Sequence, residues 1–271
     1  LRLAGVAVAA VAAILMATAS SGLASAATGK RAISITLIGD SYTAGNGTGS
    51  YYGDAGAFRS HLNWGQLYAN WLTGQGVKAN VTNLAHSGNI TQNVLDDQIP
   101  KVASSSDVVM LTIGGNDVKF ADIVTQCFAI GVRDPWSCRE KVDSARSELP
   151  QVMTKTEAIF TKLDERLSDS ALIVLVGYPL LSQDKDYTLQ ECSFTLPVKC
   201  DQYEAAKGVR DLGLEANRLQ SSLVSRWNAS HSTKVTYVEN VSSTFAGHEP
   251  DPSVNAKNDF RWINEFLETA G

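Results

Sequence analysis

Five short apolar runs limit the folds that this chain can adopt. We interpret them as nearly continuous in hydrophobicity rather than alternating, which is clearest at residues 107–113 and 171–177. Such runs are typical of strands that are buried on both faces, as in a parallel sheet covered by helices. The runs span residues 33–38, 78–84, 107–113, 171–177 and 234–240. The sequence therefore predicts a five-stranded parallel sheet.

Helical patterns fill the intervals between these runs. The clearest covers residues 203–227 and contains apolar residues spaced three and four apart, which form one stripe on a helix. This stripe consists of Val209, Leu212, Ala216, Leu219 and Leu223. Further helices are predicted over 62–73 and 145–167, with Pro150 either starting or kinking the second one. Strands alternating with helices predict a doubly wound α/β fold in one domain that begins near residue 30.

The N-terminal region is predicted to be a secretory signal peptide over residues 1–26. It has a basic start at Arg2, an apolar run and the sequence Ala24-Ser25-Ala26, which fits an A-x-A cleavage site. The apolar run is short for a span of about 20 residues, which favours cleavage over a membrane anchor. We therefore expect a secreted protein without stable membrane insertion after cleavage. Because the chain begins with Leu1 and not Met, we also expect that its true start is missing.

Four cysteines in a secreted chain predict disulfide bonds. Three connectivities are possible, and the simplest joins Cys127 to Cys138 and Cys192 to Cys200, each pair closing a short loop in a stretch without clear periodicity. A metal site is disfavoured because the chain has no C-x-x-C and no histidine near these cysteines. We expect no metal ion and no cofactor.

The net charge of −5 argues against nucleic acid as a partner.

Three of the predicted strands end in polar and glycine-rich sequences, and in an open parallel sheet ligands bind beyond such ends. Ser41 could serve as a nucleophile in acyl transfer. The Ser41 and Gly88 backbone N–H groups and the Asn116 amide could then stabilise the negative charge on oxygen. Asp40 is expected to brace its loop, and Asp117 to bind local N–H groups. Taken singly, each of these residues also fits an ordinary cap or turn.

These strand ends resemble the SGNH (GDSL-type) hydrolase family, and in particular its secreted actinobacterial esterases and lipases. The resemblance rests on "IGDSYTAGNG", "NLAHSG" and "LTIGGND", in this order, and on "VGYPLL" at residues 176–181. It implies a flavodoxin-like three-layer α/β/α fold and the hydrolysis of carboxylic esters. It further implies that Ser41 is the nucleophile and that Ser41, Gly88 and Asn116 form the oxyanion hole.

The general base is the missing part of this resemblance. The family's fourth block carries a histidine, usually preceded by aspartate three residues earlier, and none of the four histidines here fits that pattern. The segment "FAGHE" with "WIN" resembles a region that precedes the catalytic histidine. We therefore expect a base beyond Gly271 in a longer chain, with His248 as the alternative. His86 is expected to orient its loop, and His61 and His231 to lie at the surface or in caps.

The interpretation that we favour is a secreted, monomeric serine esterase or lipase that acts on a small-molecule or lipid ester. The alternative is a non-catalytic lipid- or glycan-binding module on the same fold, which the missing base would suit. A nucleotide binder is disfavoured because the first loop lacks both G-x-G-x-x-G and the P-loop pattern. The aromatic residues Tyr51, Tyr52 and Phe58 could line an acyl groove or belong to the core.

Overall fold

The computed structural model describes residues 32–253 and 256–264, so the predicted signal peptide and residues 265–271 lie outside the described residues. The strands are β1 Ile33–Gly39, β2 Ala79–Asn83, β3 Val108–Thr112, β4 Leu172–Val176, β5 Thr188–Cys192, β6 Cys200–Glu204 and β7 Val235–Val238. Five of them form one sheet in the order β2-β1-β3-β4-β7, and every neighbouring pair is parallel. The five predicted strands and their parallel arrangement are confirmed. The expectation that every strand is buried on both faces is wrong for β2, which lies at the edge of the sheet and alternates between exposed and partly buried residues.

Helices cover both faces of this sheet. The α-helices are α1 Ser41–Ala44, α2 Trp64–Gly74, α3 Thr91–Asn93, α4 Phe120–Phe128, α5 Pro135–Asp164, α6 Ala205–Ser230 and α7 Val241–Thr244. Successive strand residues point to opposite faces of a sheet. On β1, Ile38 packs into the core that contains Phe160 of α5 and Trp227 of α6, whereas Leu37 packs with Tyr68 of α2. This arrangement is the predicted three-layer α/β/α fold.

Helix α5 is longer than its periodicity indicates. It begins at Pro135, where Asp134 caps the first turn and accepts a hydrogen bond from the Ser137 backbone N–H at 2.8 Å. Pro135 suits the first helical position because the missing N–H has no partner there in any case. Pro150 lies inside the helix and is exposed. The alternative in which Pro150 starts this helix is therefore wrong.

The two stretches that hold the cysteines have different structures. Residues 121–140 contain most of α4 and the start of α5, and Cys127 is bonded to Cys138. Residues 183–202 contain the antiparallel hairpin of β5 and β6, in which Cys192 is bonded to Cys200. Both disulfides are the local ones that the sequence favours. Both stretches follow carboxyl ends of sheet strands, so they lie toward the edge that carries Ser41.

Candidate active site

Ser41 stands at the point where β1 gives way to α1. Gly39, the last residue of β1, has φ of 118°, and a Cβ atom placed there would lie 2.2 Å from the Thr112 carbonyl oxygen. Only glycine fits this approach of β1 to β3. Asp40 then caps α1, and its carboxylate accepts a hydrogen bond from the Tyr42 N–H at 3.1 Å. Ser41 follows as the first residue of the helix and is partly exposed.

A buried glutamine holds the backbone just before this turn. The Gln98 Oε1 atom accepts a hydrogen bond from the Gly39 N–H at 2.7 Å, and its Nε2 donates to the Gly39 carbonyl at 2.8 Å. Gln98 is 3% exposed. Sequence reasoning missed this residue because one glutamine in the segment between β2 and β3 carries no pattern that marks it. Gln98 can hold the Gly39 backbone only because the helical turns between β2 and β3 place it there.

Asp40 braces the loop, as predicted, and two of its partners lie far away in the chain, at the end of β3 and after β4. Its carboxylate accepts hydrogen bonds from the Thr112 hydroxyl at 3.0 Å and from the Tyr178 hydroxyl. Burial raises the pKa of Asp40 to about 6, although these hydrogen bonds favour the ionised form and act against that rise. Burial and the nearby Asp40 charge raise the pKa of Tyr178, which keeps its hydroxyl protonated as a donor. Tyr178 lies in the "VGYPLL" segment, whose role the sequence does not reveal.

The loop after β1 is tied to the loop after β2. The Asn46 side-chain amide donates to the Ser87 hydroxyl at 3.2 Å, and the His86 backbone N–H donates to the Gly39 carbonyl at 3.1 Å. These bonds hold Gly39 and Asn46, which lie on either side of Ser41 in the sequence, against the two residues that precede Gly88. Gly88 itself has φ of 79°, and an added Cβ atom would meet no atom within 4 Å. Its backbone therefore borders open space.

The loop after β2 is in turn tied to the loop after β3. The Asn116 side-chain amide donates to the Asn89 carbonyl at 2.9 Å. The Asp117 carboxylate accepts hydrogen bonds from the Thr91 backbone N–H at 2.9 Å and from the Thr91 hydroxyl. Asp117 binds a backbone N–H, as expected, but this N–H is not local, because it belongs to Thr91 at the start of α3. With the Asp40–Thr112 bond, the three loops are joined pairwise at one edge of the sheet.

A mainly apolar pocket of about 350 Å³ opens beside Ser41. Ser41 and Asn116 both belong to its wall, whereas Gly88 is not among the described residues that line it. Its wall combines residues of α4, α5 and α6, of the segment after β4, and of the segment after α7. Its volume is at the small end of the range of about 300–1,000 Å³ that is usual for small-molecule sites.

The aromatic residues considered for an acyl groove lie elsewhere. Tyr51 packs edge-on against Phe58 with ring centroids 5.5 Å apart, and Tyr52 stacks on His61 at 4.3 Å. None of them is among the described residues in the pocket wall. Tyr51 and Phe58 thus pack on each other and Tyr52 on His61, and a groove role for them stays a prediction.

The four histidines all have partners outside the pocket wall. His86 holds its own loop through Nδ1 and the Ser87 carbonyl at 2.7 Å, and its Nε2 lies 3.5 Å from the Asp54 carboxylate. His231 stacks on Trp227, with ring centroids 3.6 Å apart. His248 stacks on Trp262 at 3.8 Å, and its Nδ1 contacts the Phe260 carbonyl. Within the described ranges, the pocket wall contains no histidine.

The described residues contain neither a metal-binding cluster nor a membrane-spanning helix. Across residues 32–253 and 256–264, no three His, Cys, Asp or Glu side chains are grouped so that they could hold a metal ion. Over the same ranges, no helix combines the length and the apolar character that crossing a membrane requires.

Comparison with known proteins identifies the family. Residues 37–231 match the model of the GDSL-like Lipase/Acylhydrolase family. The chain belongs to this family. The match begins at the end of β1 and extends to the end of α6, so it includes all three strand-end loops described above. The family assignment therefore covers the Ser41 turn, the Gly88 loop and the Asn116 loop together.

Individual relatives within the family come from Streptomyces. A lipase of Streptomyces rimosus is 34% identical over 151 residues, which are 55% of this chain and 53% of the relative. The chain spans about half the length of the curated relatives it matches. The crystal structure of an extracellular lipase from Streptomyces rimosus aligns with a TM-score of 0.65 and 26% identity over 86% of this chain and 88% of that one. Phospholipase A1 from Streptomyces albidoflavus shares the fold, with a TM-score of 0.64 and 22% identity over 85% of this chain and 92% of that one.

Proposed function

We propose that this protein hydrolyses carboxylic esters through an acyl intermediate on Ser41. The observation that carries the proposal is the position of Ser41. It is a partly exposed serine at the carboxyl end of a central strand, in the wall of an apolar pocket that Asn116 also lines. Membership of the GDSL-like family and the names of the Streptomyces lipases support the same reaction class.

The proposed reaction has two steps. The Ser41 Oγ attacks the ester carbonyl, a base removes the hydroxyl proton, and the alcohol leaves after it has received that proton. Water then attacks the acyl-Ser41 ester, which releases the carboxylic acid and restores the hydroxyl. Negative charge develops on the carbonyl oxygen in both steps. We assign its stabilisation to the Ser41 and Gly88 N–H groups and to the Asn116 amide.

The bonds between the loops support this assignment of the oxyanion hole. The Asn116 amide donates to the Asn89 carbonyl, so one hydrogen bond ties Asn116 to the residue that follows Gly88. Asn46 and Ser87 link the Gly88 loop to the Ser41 turn. A site whose donors are fixed before substrate arrives needs little rearrangement during the reaction, which is where such donors gain their effect.

The identity of the general base and the secretion of the protein are also proposals. The base beyond Gly271 stays a prediction, with His248 as the alternative. Secretion is supported by the name of the extracellular lipase from Streptomyces rimosus. A lipid or small-molecule ester is the proposed substrate class, and we propose that the protein acts as a monomer.

Covalent labelling tests the proposed function. A fluorescent alkyl fluorophosphonate should label the protein at Ser41, as mass spectrometry of the labelled peptide would show. Ser41→Ala should abolish labelling, whereas Ser105→Ala, at an exposed serine, should not change it. Asn116→Ala should lower kcat for p-nitrophenyl acetate about 10²–10³-fold, as the loss of one oxyanion donor does in other serine hydrolases. An unlabelled Ser41 in a folded protein that also contains the proposed base would favour the binding-module alternative.

A further inference from the structure

We propose that the β5–β6 hairpin anchors this protein to a lipid surface without net charge, and that the start of α5 contacts the same surface. The inference goes beyond the proposed function, because adsorption to a lipid surface needs no bond to be made or broken. It concerns a reversible contact with the surface and not a segment that crosses a membrane.

Exposed apolar side chains are concentrated in two segments of the chain. Eleven large apolar side chains of the described residues are exposed, and seven of them lie within residues 120–136 and 194–198. The described segments that lead into the amino ends of β2, β3, β4 and β7 contain none; they are residues 75–78, 102–107, 165–171 and 231–234. The two segments follow the carboxyl ends of β3 and β4, so this apolar surface lies toward the edge of the sheet that carries Ser41.

The tip of the hairpin presents the most exposed of these side chains. Phe194 is 106% exposed, Leu196 is 92% exposed and Val198 is 59% exposed. Residues 193–198 contain no charged side chain. Side chains that contact so little of their own protein contribute little to its folding, whereas each would gain free energy from burial in hydrocarbon. Such a group of exposed apolar side chains marks a contact site for a partner.

The backbone of the tip is closed at its base. The Cys192–Cys200 disulfide joins the two strands. Beyond it, the Ser193 N–H donates to the Lys199 carbonyl at 2.7 Å, and the Lys199 N–H donates to the Ser193 hydroxyl at 3.1 Å. Pro197 carries no N–H. Fewer backbone groups would therefore lose hydrogen bonds with water when the tip enters the boundary between headgroups and acyl chains.

The start of α5 lies beside the base of the hairpin and carries an exposed tryptophan. Arg139 of α5 donates to the Asp201 carboxylate at 3.1 Å, and its guanidinium lies 5.4 Å from the centre of the Tyr203 ring, both on β6. Trp136 lies three residues before Arg139, and residues with this spacing are neighbours on a helix. Trp136 is 62% exposed. Tryptophan is favoured at lipid–water boundaries, since its ring is apolar and its N–H is polar.

The turn between α4 and α5 extends this surface toward the pocket. Ile130 and Val132 of this turn are exposed. The next residue, Arg133, has its guanidinium 5.8 Å from the centre of the Tyr187 ring, just before β5. At the opposite end of α4, Phe120 is exposed and belongs to the pocket wall. Helix α4 therefore connects the proposed contact surface with the candidate active site.

Charge and shape favour a lipid surface without net charge as the partner. The chain has a net charge of −5, and residues 191–204 contain three acidic residues and one lysine. An anionic lipid surface would therefore add no attraction. The three apolar side chains of the tip present on the order of 400 Å², about half of what one partner contributes to a standard protein interface. A fluid lipid layer needs no groove that matches a protruding tip, whereas a protein partner does.

Flotation with phosphatidylcholine vesicles tests the inference, with the Ser41→Ala variant used so that no lipid is hydrolysed. The protein should float with the vesicles. The added changes Phe194→Ala and Leu196→Ala should weaken this partition at least about tenfold, because two side chains no longer enter hydrocarbon. Both side chains are exposed, so the thermal unfolding midpoint should stay that of the parent. Absence of flotation, or flotation unchanged by the two changes, would overturn the inference.

Phe260→Ala is the matched control, since Phe260 is 74% exposed and lies outside the two segments. Its partition should equal that of the parent, and an equal loss in this variant would contradict the assignment to the hairpin. Raising the salt concentration from about 0.05 M to about 0.5 M should not weaken binding, because the contact is apolar. Binding that requires phosphatidylglycerol and is lost in salt would overturn the choice of lipid.

Two further measurements examine the second segment and the competing occupant. The fluorescence of the vesicle-bound protein should shift to shorter wavelength, and Trp136→Phe should remove most of this shift. A shift that does not depend on Trp136 would contradict the contact at α5. In analytical ultracentrifugation without lipid, a dimer that Phe194→Ala dissociates would assign the tip to a second copy of the chain and overturn the inference.

The anchor and the proposed function can fail separately. Vesicle binding without labelling of Ser41, in a protein that contains the proposed base, would refute the hydrolase and retain the anchor. Labelling of Ser41 in a protein that does not bind vesicles would refute the anchor and leave the hydrolase in place.

Discussion

At the scale of single residues, Asp40 has the most unusual environment. It precedes the proposed nucleophile, its side chain is buried, and three groups donate hydrogen bonds to it. Burial disfavours the charged carboxylate more strongly than these bonds favour it, so the pKa rises from its ordinary value of 3.8 to about 6. The turn that holds Ser41 therefore rests on a group that burial makes costly to ionise, so its ionisation lowers the stability of the folded protein as the pH rises.

This environment predicts a pH-dependent difference between the parent protein and Asp40→Asn. Between about pH 4 and pH 6, the folded parent keeps a proton on Asp40 that the unfolded chain releases. The free energy of unfolding of the parent should thus fall by about 3 kcal/mol relative to Asp40→Asn as the pH rises through this window. Urea denaturation of both proteins from pH 4 to pH 7 measures the difference. A constant difference would show that Asp40 titrates normally.

At the scale of elements, the two disulfides close loops that differ in burial. The Cys127–Cys138 bond spans 11 residues, and both cysteines are fully buried in the core between α4, α5 and α6. The Cys192–Cys200 bond spans 8 residues in the β5–β6 hairpin, whose tip carries the fully exposed side chain of Phe194. One bond thus stabilises a packed helix pair, and the other a hairpin whose tip has few contacts with the rest of the protein.

Removing each disulfide should therefore have unequal effects. The double change Cys127→Ala and Cys138→Ala should lower the free energy of unfolding by about 2–3 kcal/mol, through the lost loop closure and the gap left in the core. The matched change Cys192→Ala and Cys200→Ala should cost less, since the hairpin can open while the rest stays folded. Guanidinium denaturation of the two variants provides the comparison. Equal losses would mean that the hairpin unfolds together with the domain.

At the scale of the whole molecule, parallel strands bring three distant loops to one edge. Asp117 shows how this edge is held, because its side chain is 5% exposed and accepts two hydrogen bonds from Thr91 on the neighbouring loop. The ammonium group of Lys155 on α5 lies 4.0 Å from the same carboxylate. One carboxylate therefore links the loop after β2, the loop after β3 and the helix layer.

Breaking this link should affect both stability and the proposed reaction. Asp117→Ala leaves the Thr91 N–H and hydroxyl without their acceptor, so the free energy of unfolding should fall by about 2–4 kcal/mol. We expect kcat for p-nitrophenyl butyrate to fall more than KM changes, because Gly88 and Asn116 lose their fixed spacing while the apolar pocket beside Ser41 stays intact. Asp117→Asn, which keeps an acceptor oxygen, should recover most of both losses. An Asp117→Ala variant with the parent kcat would contradict this role.

Prediction from the sequence succeeded where local patterns decide the structure. The five apolar runs became the five strands, and the 203–227 stripe became α6, because a buried strand requires a local apolar run and a helix with one buried face requires an apolar stripe. The start of α5 was missed since its first turns are polar, so its cap at Asp134 gives a clearer signal than its periodicity. The roles of Gln98 and Tyr178 were not predicted, because their partners Gly39 and Asp40 are far away in the chain.

The sequence by itself determined the fold class, the local disulfide pairs and the serine that follows β1, since each depends on residues close together in the chain. Only the tertiary structure decided what surrounds that serine. The Asp40–Tyr178 bond joins residues that are 138 positions apart, and the pocket wall combines α4, α6 and the segment after β4. Side chains separated by such distances carry no shared period, so their meeting becomes visible only once the sheet has brought the strand ends together.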